Sequence, residues 1–255
     1  MDAVAGIAYL SPLRSAIIAH VFDGQSAQTR TSSTMKKTHP LRASLQRLLP
    51  SVAVFGKALG LVYSKRSMLR ELGYIESSRT KRPCRRDGSP LPWMNYHVIA
   101  FLEERLNKNL SLFEYGSGTS TSFYASLVDQ VVSVETNPDW YAEVRETVPE
   151  NVELKFIDAE ARQQYCELAE KENRKFDVIV VDDLDRTECV IEAPKALSDG
   201  GVIVLDDYHA EIHRPAIDSL KSRGFRELRF AGLKPGSIQA YRTTIFYRDG
   251  NCLGI

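Results

Sequence analysis

Residues Phe113–Thr121 read FEYGSGTST, and this stretch decides the fold that the sequence predicts. It overlaps the end of an apolar run, LSLFEY, so a short strand passes into a loop with glycines two positions apart. Glycine lets a backbone turn sharply and lets a ligand approach it closely. The stretch therefore indicates a ligand site at the carboxyl end of a buried strand.

Strand and helix patterns alternate on the carboxyl side of this loop. The apolar runs are QVVSVE, NVELKFID, KFDVIVVD and GGVIVLD, and helices are predicted near 121–128, 138–147, 159–172, 187–197 and 212–223. Strands that are apolar nearly throughout are typical of a parallel sheet covered on both faces. A helix between each pair of strands predicts right-handed crossovers and a doubly wound sheet.

The last two runs, RELRFAGL and RTTIFYR, are separated by too few residues for a crossover helix, so we expect them to pair antiparallel. Before the sheet, MNYHVIAFLEERL has the spacing of an amphipathic helix. The predicted fold is α/β, a doubly wound and mostly parallel seven-stranded sheet with an antiparallel last strand. A helical, basic N-terminal extension precedes it.

Charge and composition divide the chain. Residues 1–90 contain 15 Lys/Arg and 5 Asp/Glu, whereas residues 91–255 contain 18 and 28. Such an asymmetry is typical of a basic appendage on an acidic body. We predict a disordered leader over 1–34, a helical and basic segment with a proline-containing linker over 35–92, and the ligand-binding domain over 93–255.

The chain has four scattered cysteines and no apolar run as long as a membrane span. The cysteines indicate reduced thiols in a cytosol-like compartment, so we expect a cytoplasmic protein. The first fifty or so residues are poor in acids and contain Ser, Thr and Arg, so an organellar transit peptide stays open. The sequence does not determine the oligomeric state.

The glycine loop lacks the sequence motifs of two common kinds of nucleotide-binding loop. A dinucleotide loop needs a third glycine three positions after Gly118, where Thr121 stands, and a Walker loop needs a lysine, which is absent. Carboxylates occur instead: Glu114 before the glycines, Glu135 at the end of the second strand and Asp158 at the end of the third. A carboxylate after the second strand can accept ribose hydroxyls. Acids without bases favour a ligand that is positively charged and has no phosphate.

With these residues the sequence resembles the class I S-adenosylmethionine-dependent methyltransferases, over roughly 93–248. Their loop has the form acidic-x-Gly-x-Gly-x-Gly, and Glu114, Gly116 and Gly118 match while Ser120 stands at the third glycine. The resemblance implies that Glu114, Tyr115 and the loop bind the methionine end of S-adenosylmethionine. It also implies that Glu135 binds the ribose and that Asp158 and Ala159 bind the adenine. Further contacts would come from Asp182 at the fourth strand end and from Trp93 or Tyr96 in the entry segment.

Two further acidic groups follow the fourth and fifth strands, in VVDDLD and VLDDYH. Asp182 with Asp206 and Asp207 resembles the metal site of the metal-dependent O-methyltransferases. Carboxylate oxygens suit Mg²⁺, which could orient a substrate hydroxyl and lower its pKa. The acids could equally serve the cofactor or cap the helices that follow. Asp207 and His209 are the candidate catalytic residues, His209 as general base.

The predicted function is therefore transfer of a methyl group to a small-molecule acceptor, most simply a hydroxyl oxygen, with Mg²⁺ as a possible helper. Two alternatives stay open: an aminopropyl transferase of the spermidine synthase type, and a non-catalytic binding protein with this fold. The basic arm could contact RNA, an anionic membrane surface or an acidic substrate. We rank nucleic acid low because residues 77–92 contain no aromatic side chain for stacking on bases.

Overall fold

The computed structural model describes residues 50–255. The predicted leader over 1–34 and the first part of the basic segment lie outside the described residues. One compact unit, Val54–Ile255, contains the whole sheet.

The described residues form ten α-helices, one short 3₁₀ helix and seven strands. The N-terminal helices are α1 (Pro50–Tyr63), α2 (Met68–Glu71), α3 (Tyr74–Thr80) and α4 (Tyr96–Arg105). The alternating part comprises β1 (Ser111–Tyr115), α5 (Thr119–Leu127), β2 (Gln130–Glu135), α6 (Pro138–Arg145), β3 (Val152–Phe156), α7 (Arg162–Cys166), α8 (Leu168–Lys171), β4 (Phe176–Val181), α9 (Arg186–Glu192), the 3₁₀ turn Ala193–Lys195, β5 (Leu197–Leu205), α10 (Arg214–Ser222), β6 (Arg226–Leu233) and β7 (Ala240–Tyr247).

The strands form one sheet in the order β3-β2-β1-β4-β5-β7-β6. Strands β1 to β5 pair in parallel, and β7 runs antiparallel to both of its neighbours, β5 and β6. The predicted doubly wound sheet with an antiparallel last strand is confirmed. Strand order reverses between β1 and β4, so the carboxyl ends of these strands border the crevice where ligands bind in such sheets.

Two apolar clusters cover the two faces of this sheet. One includes Phe113, Tyr115 and Phe246, and the other includes Leu112, Val180 and Ile245. Neighbouring residues of one strand thus enter opposite clusters, as the pleat of a strand requires. Burial on both faces explains why the parallel strands are apolar nearly throughout.

Local signals fix the ends of several helices. Asn95 Oδ1 accepts a hydrogen bond from the Val98 amide at 3.1 Å, which caps α4. Asn137 caps α6 in the same way, with Pro138 at the first helical position, as the sequence predicts. These caps hold the helices at the points where the chain leaves the linker and strand β2.

The predicted linker over 77–92 is packed on the domain. The Cys84 amide donates to Ser77 Oγ at 3.0 Å, and the same hydroxyl donates to the Cys84 carbonyl at 2.9 Å. Leu91 is 1 % exposed and belongs to the core cluster of Leu112 and Val180. The prolines and basic residues of the segment indicated a solvated linker, but a few small or apolar side chains hold it against the domain.

Helix α1 is apolar and lies open to solvent. Phe55 is 64 % exposed and Tyr63 is 71 % exposed, and Val54, Leu59 and Leu61 are exposed as well. Among residues 50–255, no helix has the length and apolar character needed to cross a bilayer.

Candidate functional site

A cavity of about 310 Å³ opens at the switch point of the sheet. It lies at the carboxyl ends of β1, β2 and β4, where the sequence predicts the ligand. Its lining residues are Glu114, Gly116, Ser117, Ser120, Glu135, Asn137, Trp140, Asp182 and Asp183. Four of these are carboxylates and none is Lys or Arg, so the cavity favours a ligand that carries positive charge.

The glycine loop forms one wall of the cavity. Gly116 has a φ of 94°, and a Cβ there would lie 3.0 Å from the Asp183 Cβ and 3.2 Å from the Asp182 carbonyl oxygen. Only glycine meets both requirements without strain. The Gly118 amide donates to Thr121 Oγ1 at 3.0 Å, and Trp140 Nε1 donates to the Ser117 carbonyl at 2.8 Å. These contacts hold the loop against α5 and α6.

Glu114 lies at the base of the cavity and is 1 % exposed. Its carboxylate accepts hydrogen bonds from the hydroxyls of Thr121 at 2.6 Å and Ser133 at 2.8 Å. Burial raises the pKa of Glu114 to about 7, although these hydroxyls oppose the shift. Thr121, which replaces the third glycine of a dinucleotide loop, therefore supports the acidic residue.

Glu135 is nearly buried and accepts hydrogen bonds on both carboxylate oxygens. One oxygen receives the Ser117 amide at 3.2 Å and the Ser117 hydroxyl at 2.7 Å. The other receives the amides of Thr136 and Asn137, both at 2.9 Å. Glu135 thus ties the glycine loop of β1 to the end of β2.

Asp183 lines the cavity beside Gly116. Its Oδ2 accepts hydrogen bonds from the hydroxyls of Tyr165 at 2.9 Å and Thr136 at 3.2 Å. Burial raises its pKa. Both hydroxyls hold this carboxylate next to Gly116.

The acids after β4 and β5 converge. Oxygens of Asp182, Asp206 and Asp207 lie within 4.8 Å of one another. Lys234, in the turn between β6 and β7, places its Nζ 2.6 Å from Asp206 Oδ2 and 2.7 Å from Asp207 Oδ1. Arg186 contacts Asp182 Oδ1 at 3.0 Å and Asp207 Oδ2 at 3.8 Å. Two cations of the chain therefore lie among the three carboxylates.

These residues do not fit a divalent cation as they stand. The Lys234 ammonium already lies at contact distance from two of the three candidate ligands, and the carboxylate of Asp182 is paired with Arg186. Burial would lower the pKa of Lys234, but Asp206 and Asp207 raise it above its ordinary value, so the ammonium keeps its charge.

Comparison with known proteins found no matching family model and no matching curated protein. A precorrin-6y C5,15-methyltransferase from Geobacter metallireducens GS-15 is 20 % identical, with 56 % of this chain and 83 % of that chain covered and a TM-score of 0.42. SMU.1697c, a putative methyltransferase from Streptococcus mutans in complex with SAH, is 15 % identical, with 58 % and 93 % covered and a TM-score of 0.42. A spermidine synthase from Thermotoga maritima is 15 % identical, with 60 % and 56 % covered and a TM-score of 0.44.

The strand order decides the fold family. A seven-stranded sheet in which only the strand between β5 and β6 runs antiparallel is the arrangement that the sequence resemblance implied. The chain has the class I methyltransferase fold. Its glycine loop follows β1 at the switch point, which is where the sequence predicts the cofactor site.

Within the methyltransferase fold, the predicted cofactor residues divide into two groups. Glu114, Gly116, Glu135 and Asp182 line the cavity, and Gly118 lies in the loop that forms its wall. The side chain of Tyr115 instead enters the core and donates to the Cys166 carbonyl at 2.7 Å. The remaining predicted contacts do not line the cavity: Asp158 and Ala159 are exposed beyond β3, Trp93 donates to the Pro235 carbonyl, and Tyr96 is buried.

The two predicted catalytic residues differ in their surroundings. The carboxylate of Asp207 is partly exposed and lies in the cluster with Lys234, and its backbone is in the left-handed region at φ 49°. His209 is exposed and contributes only its carbonyl to the hydrogen bonds of the described residues, to the His213 amide at 2.9 Å. Both stay predictions.

Lys234, Arg186 and Trp140 did not stand out in the sequence. Lys234 is 28 residues from Asp206, and the pairing of β5, β7 and β6 brings the two together. Arg186 is the first residue of α9, and its guanidinium contacts Asp182 Oδ1 across the short loop that follows β4. No local sequence pattern marks these three residues as members of the site.

Proposed function

We propose that this protein is an S-adenosylmethionine-dependent methyltransferase that acts on a hydroxyl oxygen of a small molecule. The observation that supports it is the cavity at the switch point, with four carboxylates and no basic side chain in its lining. S-adenosylmethionine has an adenosine, an ammonium, a sulfonium and one carboxylate, so it is positively charged overall and has no phosphate. An acidic lining favours such a cofactor and disfavours a nucleotide with phosphates.

Each carboxylate has a role in this proposal. Glu114 binds the α-ammonium, and Glu135 accepts the ribose hydroxyls, which replace the Ser117 hydroxyl at its carboxylate. Asp182 and Asp183 face the sulfonium side, and Asp158 with Ala159 receives the adenine. Trp140, which is exposed beside the glycine loop, covers the bound adenosine.

Methyl transfer requires positioning and removal of one proton. The acceptor oxygen attacks the methyl carbon, the S–CH₃ bond breaks, and its electron pair stays on sulfur as a neutral thioether. The proton of the acceptor hydroxyl passes to Asp207 Oδ2, which lies 3.8 Å from the Arg186 guanidinium. His209 can then carry that proton to solvent. Assistance by Mg²⁺, as the sequence resemblance implies, would require Lys234 to leave the cluster.

Aminopropyl transfer is the second candidate. Decarboxylated S-adenosylmethionine keeps both positive charges and lacks the carboxylate, so an acidic cavity without bases also suits it. The two reactions differ in the bond that breaks at sulfur. Product analysis with each donor therefore separates them.

We expect isothermal titration calorimetry to detect binding of S-adenosylmethionine and S-adenosylhomocysteine, and at least tenfold weaker binding of NAD and ATP, whose phosphates the carboxylates repel. The product assay uses a panel of hydroxylated small molecules with labelled methyl donor. Failure to bind any adenosine-containing ligand contradicts the proposal. Binding without transfer from either donor favours the non-catalytic alternative.

We also propose that α1 contacts an anionic membrane surface, since apolar side chains are exposed along it and Lys57, Lys65 and Arg66 lie on or just after it. The protein should sediment with phosphatidylcholine vesicles that contain phosphatidylserine and much less with pure phosphatidylcholine. Replacing Phe55, Leu59 and Val62 together by Ser should weaken sedimentation about tenfold, because less apolar area is buried.

Ile238→Ser is the matched control for this sedimentation assay. Ile238 is 86 % exposed, but it lies in the turn between β6 and β7. Equal loss in the control and the triple variant, or no binding by the unmodified protein, contradicts membrane contact through α1.

A further inference from the structure

The turn between β6 and β7 contains a lysine that the predicted chemistry leaves unexplained. Lys234 is 4 % exposed, and its ammonium lies over the ring of Tyr241 at 4.5 Å from the centroid and within 6.0 Å of the Trp93 ring. A buried ammonium is costly unless it is paired and hydrogen-bonded. Its partners here are Asp206 and Asp207, which the resemblance assigned to a metal.

The position of the ammonium is fixed from two sides. Asp206 Oδ2 accepts from Lys234 while its Oδ1 accepts from Thr243 Oγ1 at 2.5 Å. Thr243 is itself fixed by Asn95 Nδ2 at 2.9 Å, and Asn95 also caps α4. This chain of buried groups orients Asp206 toward Lys234 and gives each of its carboxylate oxygens a hydrogen bond from the chain itself.

Charge balance favours the same conclusion. Asp182, Asp206 and Asp207 bring three negative charges, and Lys234 with Arg186 brings two positive ones. A divalent cation among these carboxylates would lie within a few ångströms of the ammonium, where like charges repel by several kcal/mol at the dielectric of a partly buried site. The ammonium and a metal ion therefore exclude each other.

We propose that the Lys234 ammonium occupies the position that a divalent cation would take, and that the transferase is independent of metal ions. The claim that catalysis needs no metal ion rests on the proposed function. The claim that the ammonium occupies the cation position concerns only Lys234 and the three carboxylates. Lys234 is a positioning residue in this proposal, since its ammonium holds Asp206 Oδ2 and Asp207 Oδ1.

The experiment measures Mn²⁺ binding to the full chain by the electron paramagnetic resonance signal of free Mn²⁺. We expect no binding at this cluster in the unmodified protein. Lys234→Met removes the ammonium and should bind one Mn²⁺ at least tenfold more tightly. Adding Asp206→Asn to Lys234→Met should abolish that gain, and Lys57→Met, at an exposed lysine on α1, should behave like the unmodified protein.

Lys234→Gln is a second variant, since its amide can still donate to Asp206 if Lys234→Met does not fold. It should also gain Mn²⁺ binding. Stoichiometric Mn²⁺ binding by the unmodified protein that Asp206→Asn removes would overturn the proposal. Absence of binding in both folded lysine variants would overturn it as well, because the ammonium would not then be what keeps the metal out.

Turnover gives the third readout. Methyl transfer by the unmodified protein should be unchanged by a chelator and by added Mg²⁺, and at least tenfold loss on chelation overturns metal independence. Calorimetry with S-adenosylmethionine tests the proposed function separately, since neither Glu114 nor Glu135 is among the carboxylates that bind Lys234. If the unmodified protein does not bind S-adenosylmethionine, the proposed methyltransferase function is wrong, but the Mn²⁺ result remains valid.

Discussion

Glu135→Ala should weaken S-adenosylmethionine binding by at least about 100-fold. Hydrogen bonds to a charged group contribute roughly 1.5–3 kcal/mol each, and the proposed ribose contact uses two of them. The change also removes the acceptor for the amides of Ser117, Thr136 and Asn137, so the loop that carries the cofactor loses its link to β2. Calorimetry at constant salt measures the dissociation constant.

Three control variants separate the two effects of Glu135→Ala. Glu150→Ala removes an exposed acid in the loop before β3 and should leave binding unchanged. Ser117→Ala removes one hydroxyl donor to Glu135 and should change affinity only a few-fold, whereas Glu135→Gln should lie between. If Glu135→Ala binds the cofactor as the unmodified protein does, Glu135 does not contact the ribose and the cofactor does not occupy this cavity in the proposed way.

The parallel part of the fold could be predicted because its signals are local. Runs such as KFDVIVVD are apolar for the length of a strand, and only a sheet covered on both faces buries such runs. Because carboxyl ends of parallel strands share one edge, Glu114, Glu135 and Asp182 could be placed together from sequence alone.

The contact of Lys234 with Asp206 and Asp207 could not be predicted, because it depends on pairing between distant strands. Asp206 and Asp207 follow β5, and whether they face a metal or a side chain is decided by the turn after β6. A lysine before Pro235 carries no signal of burial. The order β5-β7-β6 brings Lys234 back over the end of β5, and that order is set by the packing of the whole sheet.

The structure also adds detail to the predicted cofactor residues. Tyr115 was assigned with its neighbours in the loop, but alternate residues of a strand point to opposite faces, and its ring packs against Phe113 and Tyr165. Only its backbone adjoins the loop. Asp158 lies beyond a short edge strand, where its Oδ1 accepts the Glu160 amide, so sequence position alone does not show whether it reaches the adenine.

The folded chain without cofactor should lose stability as pH rises from about 4.5 to 7. The pKa of Glu114 is about 7 in the folded state against an ordinary value of 4.5. Its folded form therefore binds more protons than the unfolded chain across this window, so ionisation in the folded state opposes folding. The contribution of Glu114 is about 3 kcal/mol, fully lost above pH 7. A cofactor with a positive charge offsets that loss.

Affinity for S-adenosylmethionine should accordingly rise with pH, by roughly 25-fold between pH 5.5 and 7.5, because the cofactor ammonium binds the ionised Glu114. Glu114→Gln should flatten this profile and weaken binding at pH 7.5 by roughly 30-fold or more, the effect of removing one partner of a desolvated charge pair. Asp182 and Asp183 line the same cavity and also have raised pKa values, so the difference between the two profiles isolates the share of Glu114. A profile that keeps its full slope in Glu114→Gln would assign the ammonium to another carboxylate.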